Sequence, residues 1–153
     1  LERRSFYASR KIGTHALWFA PADERPPGGE SFSDLVERVV PAITGEADYE
    51  RGLRKLRQEH AGMLCITLGP RGSMMLVGDR LYVEPGFAVQ AVDTTGAGDV
   101  FRAGFIHALL GGAAPAAILR FANAAAALSC TRAGALGSVP TLAEVDRFLA
   151  RPT

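Results

Sequence analysis

The most constraining feature of the sequence is an almost continuous apolar run, Met63 to Leu68, which lacks the alternation of a half-exposed strand. The run has the length of a single strand, and a strand that is apolar on both faces needs cover on both sides. In α/β proteins that cover is supplied by helices. The run therefore predicts a central strand between two layers of helix.

The segments around this run alternate between strand and helix patterns. Residues 73–77 and 80–84 predict two strands joined through Gly78-Asp79, a dipeptide suited to a tight hairpin, and residues 87–92 predict a further strand. Thr141 and Glu144 have the spacing of a capping box. Helices are predicted from Ser33 or Asp34 to Val40, from Asp48 or Tyr49 to about His60, and over residues 99–110, 115–131 and 141–149.

This alternation predicts a three-layer α/β/α fold with a central, mostly parallel sheet that carries a β-hairpin. Residues 1–153 fit a single domain, because 48% of the residues are apolar and a chain of this size buries roughly two-thirds of its unfolded surface. Residues 1–29 have a weak pattern, from which we expect one strand or edge segment and a loop.

Composition excludes several classes of partner. The formal net charge is +1 without a basic stripe or an acidic tail, so neither nucleic acid nor a membrane surface is an expected partner. No apolar segment is long enough to span a bilayer and no signal-peptide pattern is present, so we expect a cytoplasmic protein. Cys65 and Cys130 are predicted to be small buried hydrophobes in a reducing compartment.

The chemistry is concentrated in residues 93–99, Asp-Thr-Thr-Gly-Ala-Gly-Asp, between the last predicted strand and a nearly all-apolar helix. Small residues at Gly96, Ala97 and Gly98 allow a ligand to approach the backbone, and free amides in a first helical turn favour an anion. Asp99 could accept a hydroxyl proton there. The simpler alternative is a tight turn with Asp99 as the helix N-cap.

Residues 93–105, Asp-Thr-Thr-Gly-Ala-Gly-Asp-Val-Phe-Arg-Ala-Gly-Phe, closely resemble the C-terminal signature of the PfkB (ribokinase-like) carbohydrate kinases, D-T-x-G-A-G-D-x-F-x-x-G. Residues 66–72 are similar to the T-L-G-x-x-G nucleotide turn of that family. Residues 121–125, 132–135 and 139–141 are similar to its closing segment. The resemblance implies the C-terminal portion of the ribokinase-like fold, with residues 49–153 as the ATP-binding and catalytic part and residues 1–48 matching poorly.

By this resemblance, Asp99 is the catalytic base, and the amides of Gly96, Ala97 and Gly98 form the anion hole. The implied reaction transfers the γ-phosphoryl group of MgATP to a sugar or nucleoside hydroxyl. The resemblance also nominates three residues of the turn for the ATP phosphates and one helix residue for the adenine pocket, namely Thr67, Gly69, Gly72 and Asn123. A cap or packing role is the alternative for Asn123.

Many members of the family also hold a monovalent cation, K⁺ among them, and the resemblance nominates Asp93, Gly134 and Ser138 for it. Turn formation accounts for these three residues equally well. Arg102, one turn into the helix, could reach a substrate or phosphate, although a solvated or ion-paired arginine is the more common case. The resemblance allows a homodimer, because a lid often forms the dimer contact in relatives, and leaves the oligomeric state open.

The chain departs from the family in two places. Gly28-Gly29 lies in the wrong context for the sugar-binding Gly-Gly motif, and the N-x-x-E motif expected near residues 38–46 is absent, with only Glu46 nearby. We therefore expect either a fragment or a chain that has lost residues, including the lid. Besides a sugar kinase, this leaves the alternative of a non-catalytic nucleotide-binding or interaction module derived from one.

Overall fold

The computed structural model describes residues 45, 46, 48–59 and 61–151. The helix predicted to end at Val40 and the weakly patterned N-terminal segment lie outside these residues. The described elements are helix α1 (Tyr49–Glu59), strand β1 (Leu64–Thr67), a 3₁₀ turn (Gly69–Arg71), strands β2 (Ser73–Val77) and β3 (Arg80–Glu84), and helices α2 (Ala97–Leu110), α3 (Pro115–Ser129) and α4 (Leu142–Leu149).

The three described strands form an antiparallel sheet in the order β1-β2-β3. Leu64 pairs with Leu76 and Thr67 with Ser73, while Val77 pairs with Arg80 across the hairpin. The prediction of a mostly parallel sheet is wrong for this part of the chain. Its strands are joined by short turns, whereas a parallel pair needs a crossover of a dozen or more residues.

The central strand of this sheet is β2, not β1 as the apolar run predicted. Met75 and Leu76 are both fully buried, and because neighbouring residues of a strand point to opposite faces, both faces of β2 are covered. Strand β1 lies at the edge of the described sheet, and its residues alternate between half-buried and exposed. Contrary to expectation, Cys65 is exposed as a residue, although burial of its thiol raises the pKa to about 11. Cys130 is half-buried, and both cysteines are free.

The strand predicted over residues 87–92 does not form. These residues are without regular structure, and the amides of Val92 and Asp93 donate to the carbonyl of Cys130, at N···O distances of 2.7 and 3.1 Å. A β-favourable sequence becomes a strand only where a neighbouring strand offers its backbone groups. Here the end of α3 takes that place.

Helix α3 occupies the middle of the packing. It contacts β2 and β3 on one side and α2 and α4 on others, while α1 packs on β1. Met75, Phe101, Leu119 and Ala122 join the sheet to the two helices in one buried cluster. At Gly104 the two helices approach so closely that an added Cβ would lie 3.3 Å from the Cα of Ala122.

No helix within the described ranges is long and apolar enough to cross a membrane.

Candidate active site

The loop before α2 ends in a glycine whose conformation starts the helix. Gly96 is the N-cap residue with φ of +81°, a left-handed conformation that glycine adopts without a steric penalty. A Cβ at this position would also lie 3.3 Å from the Cβ of Ala135, in the loop between α3 and α4, here called the closing loop. The glycine therefore allows both the turn into α2 and the close approach of the closing loop.

The backbone amides at this helix mouth are only partly used. The amide of Ala97 donates to the carbonyl of Thr94 at 3.2 Å, and that of Asp99 donates to the carbonyl of Gly96 at 3.0 Å. The amides of Gly96 and Gly98 donate to no other described residue. Of the three amides predicted to form an anion hole, those of Gly96 and Gly98 are therefore free to bind a ligand. The amide of Ala97 makes a long hydrogen bond within the turn.

Asp99 is the third residue of α2, and its side chain does not cap the helix, because Gly96 is the N-cap and no side chain caps it. The carboxylate is 81% exposed, and its Oδ1 accepts a hydrogen bond from Nη1 of Arg102 at 2.9 Å. Arg102 is therefore ion-paired. The arrangement places an ionisable carboxylate beside free amides at a helix N-terminus, where a hydroxyl and a phosphate could meet.

Asp93 connects the signature loop to the closing loop. Its Oδ1 accepts from the amide of Thr95 and its Oδ2 from the amide of Gly134, both at 2.8 Å. Hydrogen bonds from the Thr95 side chain, the Gly134 amide and the Thr95 amide hold the pKa of this carboxyl below its ordinary value. The buried Ser138 follows, its amide donating to the carbonyl of Gly134 at 3.1 Å. The three residues nominated for a cation therefore lie together.

The T-L-G-x-x-G turn packs closely against the backbone at the end of β3 and just after it. Thr67 ends β1, Gly69 has φ of +58°, and the amide of Gly72 donates to the carbonyl of Gly69 at 3.1 Å. A Cβ on Gly72 would lie 2.1 Å from the carbonyl oxygen of Glu84, and one on Gly86 would lie 2.2 Å from that of Pro70. Gly86 was missed by sequence reasoning, because no local pattern marks it.

Asn123 lies behind this turn rather than on an open surface. Its Oδ1 accepts from the hydroxyl of Ser73 at 3.0 Å, and its Nδ2 donates to the carbonyls of Glu84 and Pro85 at 3.1 and 3.2 Å. The side chain is buried. These contacts are those of a packing residue that joins α3 to β2 and to the end of β3, which was the alternative for Asn123.

The nominated residues thus fall into two groups. One surrounds the mouth of α2, and the other forms the turn after β1 with Asn123 behind it.

Residues 32–142 match the pfkB family of carbohydrate kinases. The chain belongs to this family. The match begins at residue 32, before the first motif that resembles the family, which begins at residue 66.

The curated relatives of this pfkB-family chain are longer than it is. It is 48% identical over 86 residues to a ribokinase of Bacillus subtilis (strain 168), covering 56% of this chain and 29% of the relative. It is 51% identical over 87 residues to an ATP-dependent ribose-1-phosphate kinase of Halopiger xanaduensis, covering 57% and 29%. The chain therefore spans less than a third of the length of these relatives.

Solved structures confirm the ribokinase-like fold. A ribokinase of Thermotoga maritima is similar with a TM-score of 0.69 and 35% identity, over 77% of this chain and 40% of that one. The ribokinase of Arabidopsis thaliana, solved with ribose and ATP, is similar with a TM-score of 0.68 and 32% identity, over 76% and 39%. The antiparallel sheet described above is thus part of a ribokinase-like fold.

Proposed function

We propose that this chain is the nucleotide-binding and catalytic part of an ATP-dependent carbohydrate kinase, which transfers the γ-phosphoryl group of MgATP to a hydroxyl of a sugar or nucleoside. The observation that carries the proposal is the exposed carboxylate of Asp99, which stands beside the free amides of Gly96 and Gly98 at the mouth of α2. Membership of the pfkB family supports it.

In the proposed reaction, Asp99 accepts the proton of the substrate hydroxyl while the oxygen of that hydroxyl forms a bond to the γ-phosphorus. The bond from that phosphorus to the bridging oxygen of ATP breaks, and ADP leaves with the electron pair. The amides of Gly96, Ala97 and Gly98 would stabilise the charge on the phosphoryl oxygens, helped by the dipole of α2. The Ala97 amide would first release the carbonyl of Thr94.

ATP would lie with its phosphates along the turn after β1, next to Thr67, Gly69 and Gly72. Among the described residues, no cluster of three or more His, Cys, Asp or Glu side chains could hold a metal ion by itself. Mg²⁺ would arrive with ATP and be held largely by phosphates and water. Mg²⁺ would neutralise the charge that develops on the phosphates.

A monovalent cation such as K⁺ would be held beside Asp93, Gly134 and Ser138. Each oxygen of the Asp93 carboxylate accepts one amide hydrogen bond, and the Thr95 side chain donates a further one. A carboxylate has about four acceptor sites, so one is left for a cation. The cation would add positive charge near the helix mouth. An adenine contact from Asn123 stays a prediction, and it would require this side chain to leave its present partners.

The test is Asp99→Asn in the full chain. We expect phosphoryl transfer to fall by about 10²- to 10⁴-fold, because a general base contributes that much, while the Kd for MgATP stays within about twofold. ADP release is measured with ribose, fructose and a nucleoside as acceptors, and Kd by calorimetry. Asp79→Asn, in the hairpin turn, is the matched control and should leave both unchanged.

Two outcomes would contradict the proposal. A parallel loss of turnover and of MgATP affinity in the Asp99 variant would indicate that the carboxylate supports the helix mouth rather than the chemistry. MgATP binding by the unaltered chain without transfer to any acceptor would favour a non-catalytic nucleotide-binding module instead.

A further inference from the structure

We infer that Arg102 is a positioning residue for the proposed base: its guanidinium holds one oxygen of the Asp99 carboxylate and leaves the other to face the substrate hydroxyl. The inference rests on the proposed function. It starts from the 2.9 Å contact between Nη1 of Arg102 and Oδ1 of Asp99. No other residue in the described part of the chain donates to this carboxylate.

The backbone beneath this pair is firmly held. Asp99 and Arg102 stand three residues apart in the first turns of α2, and the two residues between them, Val100 and Phe101, are buried. One turn further, Gly104 packs directly on α3. The pair therefore projects from a rigid element, which is where a precise side-chain geometry is easiest to maintain.

The carboxylate itself has little else to fix it. Its side chain is 81% exposed, and an exposed side chain exchanges between staggered rotamers. A general base acts when its oxygen lies about 2.6–3.2 Å from the substrate hydroxyl oxygen, or reaches it through one water. The planar guanidinium of Arg102, which donates in a fixed direction, selects one rotamer of Asp99 and so presents Oδ2 outward.

This contact can be removed without unfolding the protein. Both partners are largely exposed, at 77% for Arg102 and 81% for Asp99, and exposed ion pairs contribute little to stability. A loss of activity on removing the guanidinium would therefore reflect the geometry of the base. The pair between Arg54 and Glu50 on α1, at 2.7 Å, is another ion pair within one helix and supplies the control, although Arg54 also donates to the carbonyl of Asp79.

The first experiment measures turnover. We expect Arg102→Gln to lower kcat by about two- to fivefold, which is the range that an exposed ion pair can contribute to orienting the carboxylate, with the KM for MgATP within about twofold. Arg102→Lys should lose less, because an ammonium can still contact the carboxylate. In the Asp99→Asn background, Arg102→Gln should cause no further loss, because Arg102 acts through Asp99. Arg54→Gln should leave kcat unchanged.

The second experiment needs no turnover. Asp99→Asn should shift the guanidinium Nη–Hη resonances of Arg102 in the full chain and leave those of Arg54 in place. An unmoved Arg102 resonance would overturn the inference.

The turnover outcomes separate the inference from the proposed function. Unchanged kcat in Arg102→Gln, or losses that add with those of Asp99→Asn, would overturn the role of Arg102 and leave the kinase proposal standing. An unaltered chain that transfers no phosphoryl group would overturn both.

Discussion

At the scale of single residues, glycines decide how closely the site segments approach one another. Gly72 is the clearest case, because its φ of +99° and ψ of −134° belong to a region that is nearly restricted to glycine. Its α-carbon also faces the backbone of Glu84 to Gly86. The position of the proposed phosphate turn therefore depends on a missing side chain, and not on a contact that a side chain makes.

Gly72→Ala should destabilise the protein by about 2 kcal/mol or more, because the new Cβ adds a backbone clash to the conformational strain. Gly78→Ala is the matched control, since Gly78 also has positive φ, at +58°, but a Cβ there meets nothing within 4 Å. Urea unfolding measures both. Equal losses in the two variants would contradict the close approach of the turn to the end of β3.

At the scale of elements, helix α4 is attached to the closing loop through its own cap. Thr141 and Glu144 form a capping box, with the amide of Thr141 donating to Glu144 Oε2 at 2.7 Å. The other oxygen of Glu144 contacts the guanidinium of Arg132, which lies just after α3. One carboxylate therefore closes the N-terminus of α4 and ties it to the end of the preceding helix.

This carboxylate should make stability depend on pH. The contact with Arg132, then the amide and hydroxyl of Thr141, lower the pKa of Glu144 from 4.5 to about 2. Because the folded-state pKa lies below the unfolded value, the stabilisation is complete above about pH 4.5 and is lost as the pH falls to about 2. The advantage of the unaltered chain over Glu144→Gln, measured by urea midpoints, should therefore shrink across this window.

Arg132→Gln provides the control for that measurement. It removes the largest cause of the lowered pKa of Glu144. The difference in urea midpoint between this variant and the unaltered chain should therefore decrease over the same pH range. A difference that stays constant in acid would show that the ion pair does not control the titration of Glu144.

At the scale of the whole molecule, the features predicted correctly from the sequence are those determined by residues that lie close together in the chain. The hairpin at Gly78-Asp79 and the capping box at Thr141 formed as expected, because their signals lie within a few residues. The long signature predicted the family. The strand over residues 87–92 failed because pairing depends on distant backbone, and the contact of Gly72 with Glu84 has no local signal at all.

The same limit applies to the candidate site. The sequence placed Asp99, Gly96 and Gly98 at a helix mouth, because a glycine segment before an apolar helix is a local pattern. No local pattern indicates that Asp93 reaches Gly134 across the fold, and only the family resemblance, which nominated both residues for one cation, placed them together. The sequence also left two roles open for Asn123, since the partners of that side chain come from separate strands and are known only once α3 docks on the sheet.

Asn123 joins the helical layer to the sheet, so its removal should lower the stability of the whole fold. Asn123→Ala deletes the partner of the buried Ser73 hydroxyl and two hydrogen bonds to the end of β3. Leaving buried polar groups unpaired should lower the free energy of unfolding by about 3 kcal/mol. Ser73→Ala, which removes one of these contacts, should cost less. If Asn123→Ala instead left unfolding unchanged and weakened MgATP binding, the side chain would be a nucleotide contact and its present bonds would be exchangeable.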